Sequence, residues 1–270
     1  MKKKYLPFLI IGLVILGLFI FVSIFPSVFT SYDRKYSFEP NLGCSTSHLL
    51  GTNSLGYDIF TELIYGSKDT LVIGLLSSLF TMIIGILIGS LASIKGIIGH
   101  IFSFIIDVFI LLPNLIILIV LASFLGSSSF NLILLISLFS WVKTAKEIKT
   151  KILTIKEEDF IKNCYMYNFS RVHIFVYHII PNLFDVILSR FLITITACIL
   201  KESTLSFLGF GDLYYPTWGV MINLAYLRGA LVNGNYLYLL SPSICISLVS
   251  ISFYFISIYI KKRNEIIEDL

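Results

Sequence analysis

The sequence predicts an all-α integral membrane protein, with six transmembrane helices and a polar cytoplasmic loop between spans 4 and 5. Three observations predict it. Of the 270 residues, 57% are hydrophobic and 13% charged, against roughly 25% charged in a soluble domain. The apolar residues fall in blocks long enough for membrane helices of about 20 residues. The Lys and Arg residues collect between particular blocks, so the net charge of +4 reflects orientation in a lipid bilayer and gives no support to a nucleic-acid partner.

The first span, about 7–29, follows Lys2, Lys3 and Lys4. That basic start resembles a signal peptide. Its apolar run exceeds 20 residues and no small-x-small cleavage site follows, so it reads as a retained helix. The other spans are expected at about 69–94, 100–125, 130–150, 182–209 and 237–260. With the N-terminus inside, and the seven of the 143–171 region counted with the cytoplasmic loop although Lys143, Lys146 and Lys149 overlap the end of span 4, 14 of the 20 Lys and Arg residues are cytoplasmic, 4 are outside, and Arg190 and Lys201 fall within span 5. This bias orients the chain, and an even number of spans puts both termini in the cytoplasm. Residues 1–44 form an N-terminal helix and outer linker, and residues 45–270 a five-helix core.

Between spans 4 and 5 lies TIKEEDFIKNCYMYNFSRVHIFVYHIIPN, Thr154 to Asn182. Thr154 and Glu157 read as a capping box, and Glu157, Glu158 and Asp159 suit the positive end of a helix dipole. Asn168 reads as a left-handed stop. Ser170 caps the next helix, with Phe169 and Ile174 spaced as a hydrophobic staple. Pro181 suits the first turn of span 5. A helix, a turn and a second helix therefore lie at the cytoplasmic surface. Phe160, Ile161, Cys164 and Tyr165 recur at helical spacing and can share one face, with Lys162 pointing away from most of them.

Ionisable residues inside spans are costly, which makes Asp107 and Glu202 candidates for lining a path or packing helices. Asp107 precedes Leu112-Pro113, where a kink is expected. Asp185 and Arg190 suit snorkelling at the inner end of span 5, while Lys201 lies nearer its outer end. Gly85 and Gly89 form Gly-x-x-x-Gly, which favours close helix packing. Trp218, Tyr214, Tyr215 and Tyr226 suit either an aromatic belt or a scoop-like outer surface for a docking protein. Cys44, Cys164, Cys198 and Cys245 are scattered, with neither a disulfide framework nor metal-ligand spacing. There is no Gly-rich phosphate loop. His48, His100, His173 and His178 are dispersed and no Ser sits in a nucleophile elbow, so the chain does not read as an enzyme.

The segment EEDFIKNCYMYNFSRVHIFVYHIIPN resembles the cytoplasmic signature loop of binding-protein-dependent ABC importer permeases. The family pattern is Glu-Ala-Ala, three residues, Gly, then an Ile-x-x-Pro-like end. Lys162, Asn163 and Cys164 stand at Glu-Ala-Ala, Asn168 at the Gly, and His178, Pro181 and Asn182 at the end. HLLGTNSLGYDIFTELIYGSK (His48 to Lys68) and ESTLSFLGFGDLYYPTWGVMI (Glu202 to Ile222) resemble segments of the dipeptide, oligopeptide and nickel branch. The single leading span before a five-span core is similar to the C-type permease of such systems. Lys162 reverses the family's charge, Leu49 replaces a Pro and Tyr57 an Arg.

The resemblance implies a permease subunit of an ATP-driven importer in the bacterial cytoplasmic membrane. Its path for di- or oligopeptides, or nickel, would be shared with a second homologous permease. Two ATPase subunits would hold ATP and Mg, so this chain binds no cofactor, and an extracytoplasmic solute-binding protein would deliver cargo to the outer face. Residues 157–168 would be the coupling helix gripped by an ATPase, through Phe160, Ile161, Lys162, Asn163, Cys164, Tyr165 and Asn168. The rivals are a secondary transporter, for which no internal inverted repeat is visible, and a degenerate, non-transporting scaffold, favoured only by the altered loop.

Overall fold

The computed structural model describes residues 2–268, and side chains over residues 5–263. The extreme ends assigned to the cytoplasm, residue 1 and residues 269–270, lie outside the described residues. The described chain is helical: α1 (Lys2–Ile24), α2 (Pro26–Phe29), α3 (Ile59–Ala92), α4 (Ile97–Leu111), α5 (Asn114–Leu125), α6 (Ser129–Glu157), α7 (Asp159–Met166), α8 (Arg171–Ile174), α9 (Ile180–Leu205), α10 (Trp218–Leu227) and α11 (Tyr236–Glu268). Only two isolated β-bridges, Ser37 to Tyr57 and Thr52 to Asp58, interrupt this pattern among the described residues.

Among the described residues, four helical stretches are long and apolar enough to cross a membrane: Tyr5–Ile24, Ile59–Ala92, Arg171–Phe210 and Tyr236–Arg263. A fifth candidate is the pair α4 and α5, bent by 85°. The break falls at the expected Leu112-Pro113, where proline cannot continue the helix. Helix α6, the expected span 130–150, falls short of that standard because its lysines begin at Lys143.

Boundaries moved for physical reasons. Helix α3 starts at Ile59, well before the expected 69, because Asp58 caps it by accepting from the Thr61 amide at 2.8 Å. The polar residues of its first turns pack into the outer segment: Asn53 Nδ2 donates to Glu62 at 2.9 Å, and Arg34 pairs with Asp69 at 2.8 Å. The matched outer motif is thus a structural clasp, closed by His48 and Asp58 at 2.9 Å.

Helix α3 packs along α6 through the glycines the sequence singles out. A Cβ on Gly85 would lie 2.7 Å from Thr144 Cβ, and one on Gly89 would lie 2.6 Å from the Ala145 carbonyl oxygen. The close approach is therefore possible only without side chains there. Trp218 is no belt residue. It is buried edge-on against Phe19 at 5.5 Å and donates from Nε1 to the Leu63 carbonyl at 3.0 Å. Tyr214, Tyr215 and Tyr226 are exposed.

Candidate functional site: the cytoplasmic helix-turn-helix

Thr154 does not start a helix. Helix α6 runs unbroken through it to Glu157, and the Thr154 hydroxyl donates back to the Thr150 carbonyl at 3.1 Å. The capping box is not formed because α6 has no reason to stop there: Ile148, Ile152 and Ile155 carry its buried face onward. The chain turns instead at Glu158, which is extended (φ −67°, ψ 144°) and leads into α7. The expected helix 157–168 is therefore Asp159–Met166 plus its C-terminal turn.

That turn is a Schellman motif. Asn168 sits at φ 59°, the left-handed position expected of it. The Phe169 amide donates to the Cys164 carbonyl at 3.1 Å and the Asn168 amide to the Tyr165 carbonyl at 3.1 Å, which satisfies two orphan carbonyls. Ser170 then caps α8, accepting from the His173 amide at 3.2 Å. Phe169 stacks on the His173 ring, with centroids 5.0 Å apart and planes at 12°, while Ile174 points into the core. From α8 the helix continues through a π-turn at Phe175–Ile179 into α9. Such a turn accommodates Pro181, which offers no amide to an ordinary helical ladder.

The face shared by Phe160, Ile161, Cys164 and Tyr165 is split. Ile161 has 0% exposure and packs with Ile148, Ile152, Ile155, Ile174, Ile179 and Leu183. Cys164 packs against the same aliphatic cluster. Ile161 is therefore an internal anchor tying α7 to α6, α8 and α9, and it is not available to a docking partner. Phe160 and Tyr165 are half-exposed. Met166 at 81% and Tyr167 at 79% exposure were not singled out from sequence, yet they are the most exposed apolar groups of the helix. Their signal was position: apolar residues directly before a left-handed stop have no following turn to bury them.

Lys162 donates to Asp159 at 2.8 Å across i,i+3, and both are well exposed. That hydrogen bond and the ammonium charge hold Asp159 below the usual carboxylate range, and the same bond raises Lys162. A charge reversal at this position is thus answered locally. Asn163 is exposed. Lys156 Nζ reaches the Ser93 carbonyl at 2.8 Å and ties the end of α6 to the end of α3.

A profile described as "Binding-protein-dependent transport system inner membrane component" matches residues 81–265. The chain belongs to that family. It is the membrane permease of an ABC importer, a transport subunit and not itself an enzyme. The permease is 32% identical over 249 residues to the dipeptide transport system permease protein of Bacillus subtilis (strain 168), covering 90% of this chain and 76% of that one. It is 28% identical over 219 residues to the oligopeptide transport system permease protein of the same strain, covering 78% and 70%. It is 30% identical over 246 residues to the glutathione transport system permease protein of Pectobacterium atrosepticum, covering 88% and 81%.

The two membrane carboxylates of the permease part company. Glu202 is fully buried, and its Oε1 accepts from Ser206 at 2.7 Å and Thr217 at 2.6 Å. These bonds tie the end of α9 to the start of α10. Asp107 is exposed on α4. Arg190 does not merely snorkel. It pairs with Glu147 of α6 at 3.0 Å.

Proposed function

We propose that this permease imports di- and oligopeptides, and that α7 is its coupling helix. The peptide reading is supported by its relatives, among them dipeptide and oligopeptide transport system permeases. In this reading the chain crosses the bacterial cytoplasmic membrane six times, with α6 and the bent pair α4 and α5 each counted as a span. Both termini lie inside. A second permease completes the path, a solute-binding protein delivers cargo from outside, and two ATPase subunits carry ATP and Mg.

The observation that carries the reading is the construction of α7. Phe160, Tyr165, Met166 and Tyr167 are presented outward on a loop, where exposed apolar groups mark interaction sites. The opposite side of the same helix is locked by Ile161 into a cluster shared with α6 and α9. A push on α7 is therefore delivered to two long helices. The Schellman turn and the Ser170 cap stiffen the connection.

The test is uptake. Vesicles carrying the permease with the proteins encoded beside it should accumulate labelled trialanine only when ATP is supplied. Uptake without ATP would favour a secondary transporter. Absence of uptake from fully assembled complex would favour a scaffold.

A further inference from the structure

We propose that Lys201 holds the free carboxylate of the cargo within the membrane, on a polar seam between α6 and α9. The proposal rests on the peptide-import reading above, and it names the chemistry by which the path grips its substrate.

Two contacts define the seam. Arg190 of α9 pairs with Glu147 of α6 at 3.0 Å, and Lys201 of α9 donates to Ser140 Oγ of α6 at 2.8 Å. The first cation is matched by an acid. The second is not: among the described residues Lys201 makes no ion pair. The charged side chain of α6 that acts on it is Lys143, a like charge. Lys143 is exposed and Lys201 part-exposed, so the seam is open on one side.

Depth makes this arrangement informative. Lys201 lies four residues before the end of α9 at Leu205, within a stretch apolar enough to cross a membrane. At 1.5 Å per residue that is about 6 Å along the axis from the end of α9, inside the span and toward its outer end. A cation there without a counter-charge is expensive to keep, and such residues mark substrate paths or await a partner. Ser140 takes one of the three ammonium donors, which leaves donors for a further acceptor. A carboxylate supplies both the opposite charge and the oxygen lone pairs. Every unblocked peptide carries one at its C-terminus.

The carboxylate could come from cargo or from an acid on the second permease, and the experiment separates them. Maximal ATP-dependent uptake of trialanine and of trialanine amide is measured for the full complex carrying wild-type permease, Lys201→Met or Lys201→Arg. Co-purification of the second permease is measured in parallel. The expected result is a trialanine rate at least tenfold lower in Lys201→Met, an amide rate changed less than twofold, near wild-type rates in Lys201→Arg, and full recovery of the second permease throughout. Any preference imposed by the solute-binding protein would survive in Lys201→Met, so only the change in the ratio counts. An unchanged ratio, or equal loss of both peptides, overturns the proposal. Loss of the second permease from Lys201→Met complexes also overturns it, because the counter-charge is then a partner's acid. A wild-type complex that takes up neither peptide overturns the peptide reading itself, and this proposal with it.

Discussion

Ile161→Ala tests how α7 is held. Ile161 has 0% exposure in an aliphatic cluster built from α6, α7, α8 and α9. The substitution removes three carbons, worth about 0.8 kcal/mol each in transfer alone. The residual cavity raises the expected loss to about 3 kcal/mol, within the range for Ile→Ala in cores. Since every 1.4 kcal/mol is about tenfold, the undocked state of α7 should become populated by about two orders of magnitude. Ile161 touches no external partner, so the loss should appear in the permease alone. Hydrogen–deuterium exchange of the nanodisc-held permease reads it directly. Amides of Asp159–Met166 should exchange about 100-fold faster, with those of α3 unchanged. Unaltered protection in α7 would refute the anchoring role.

Three further outcomes follow from the geometry. Asn168→Gly should leave α7 exchange within about 0.5 kcal/mol of wild type, whereas Asn168→Val should cost about 1–2 kcal/mol in the left-handed turn; equal behaviour of the two would place the turn elsewhere. Gly89→Val drives a side chain against the Ala145 carbonyl and should lower the melting temperature in detergent by overpacking worth about 1–3 kcal/mol, while Gly17→Val, with open space around it, should not. In a permease whose four native cysteines are replaced, Glu158→Cys should react with an impermeant thiol reagent only after the membrane is opened; labelling of intact cells would invert the proposed topology.

Much of this architecture is legible in the chain because a bilayer enforces it. Apolar block length, the proline at the α4–α5 break and Gly85-x-x-x-Gly89 each act through one local constraint. Asn168 was legible for the same reason, since few residues tolerate its backbone conformation. What misled was ownership of surfaces. Helical spacing groups Phe160, Ile161, Cys164 and Tyr165 on one face, but periodicity does not say whether this chain or another buries them. The structure gives Ile161 and Cys164 to the chain's own core and leaves the others outside. Thr154 failed differently. Its capping pattern was real, but tertiary burial of Ile152 and Ile155 carried α6 past it. The Arg190–Glu147 pair joins two distant segments, and a single sequence carries no trace of such a match.

In the proposed assembly α7 meets an ATPase. The most direct measurement is a cross-link from Met166→Cys, in a permease whose four native cysteines are replaced, within the assembled complex. Met166 is 81% exposed on α7, so the substitution leaves the Ile161 anchor intact. A short bifunctional maleimide should yield a product containing the permease and an ATPase subunit, and a cysteine at exposed Tyr214 should not. A cross-linked product lacking the ATPase, from a complex that still contains it, would contradict the account.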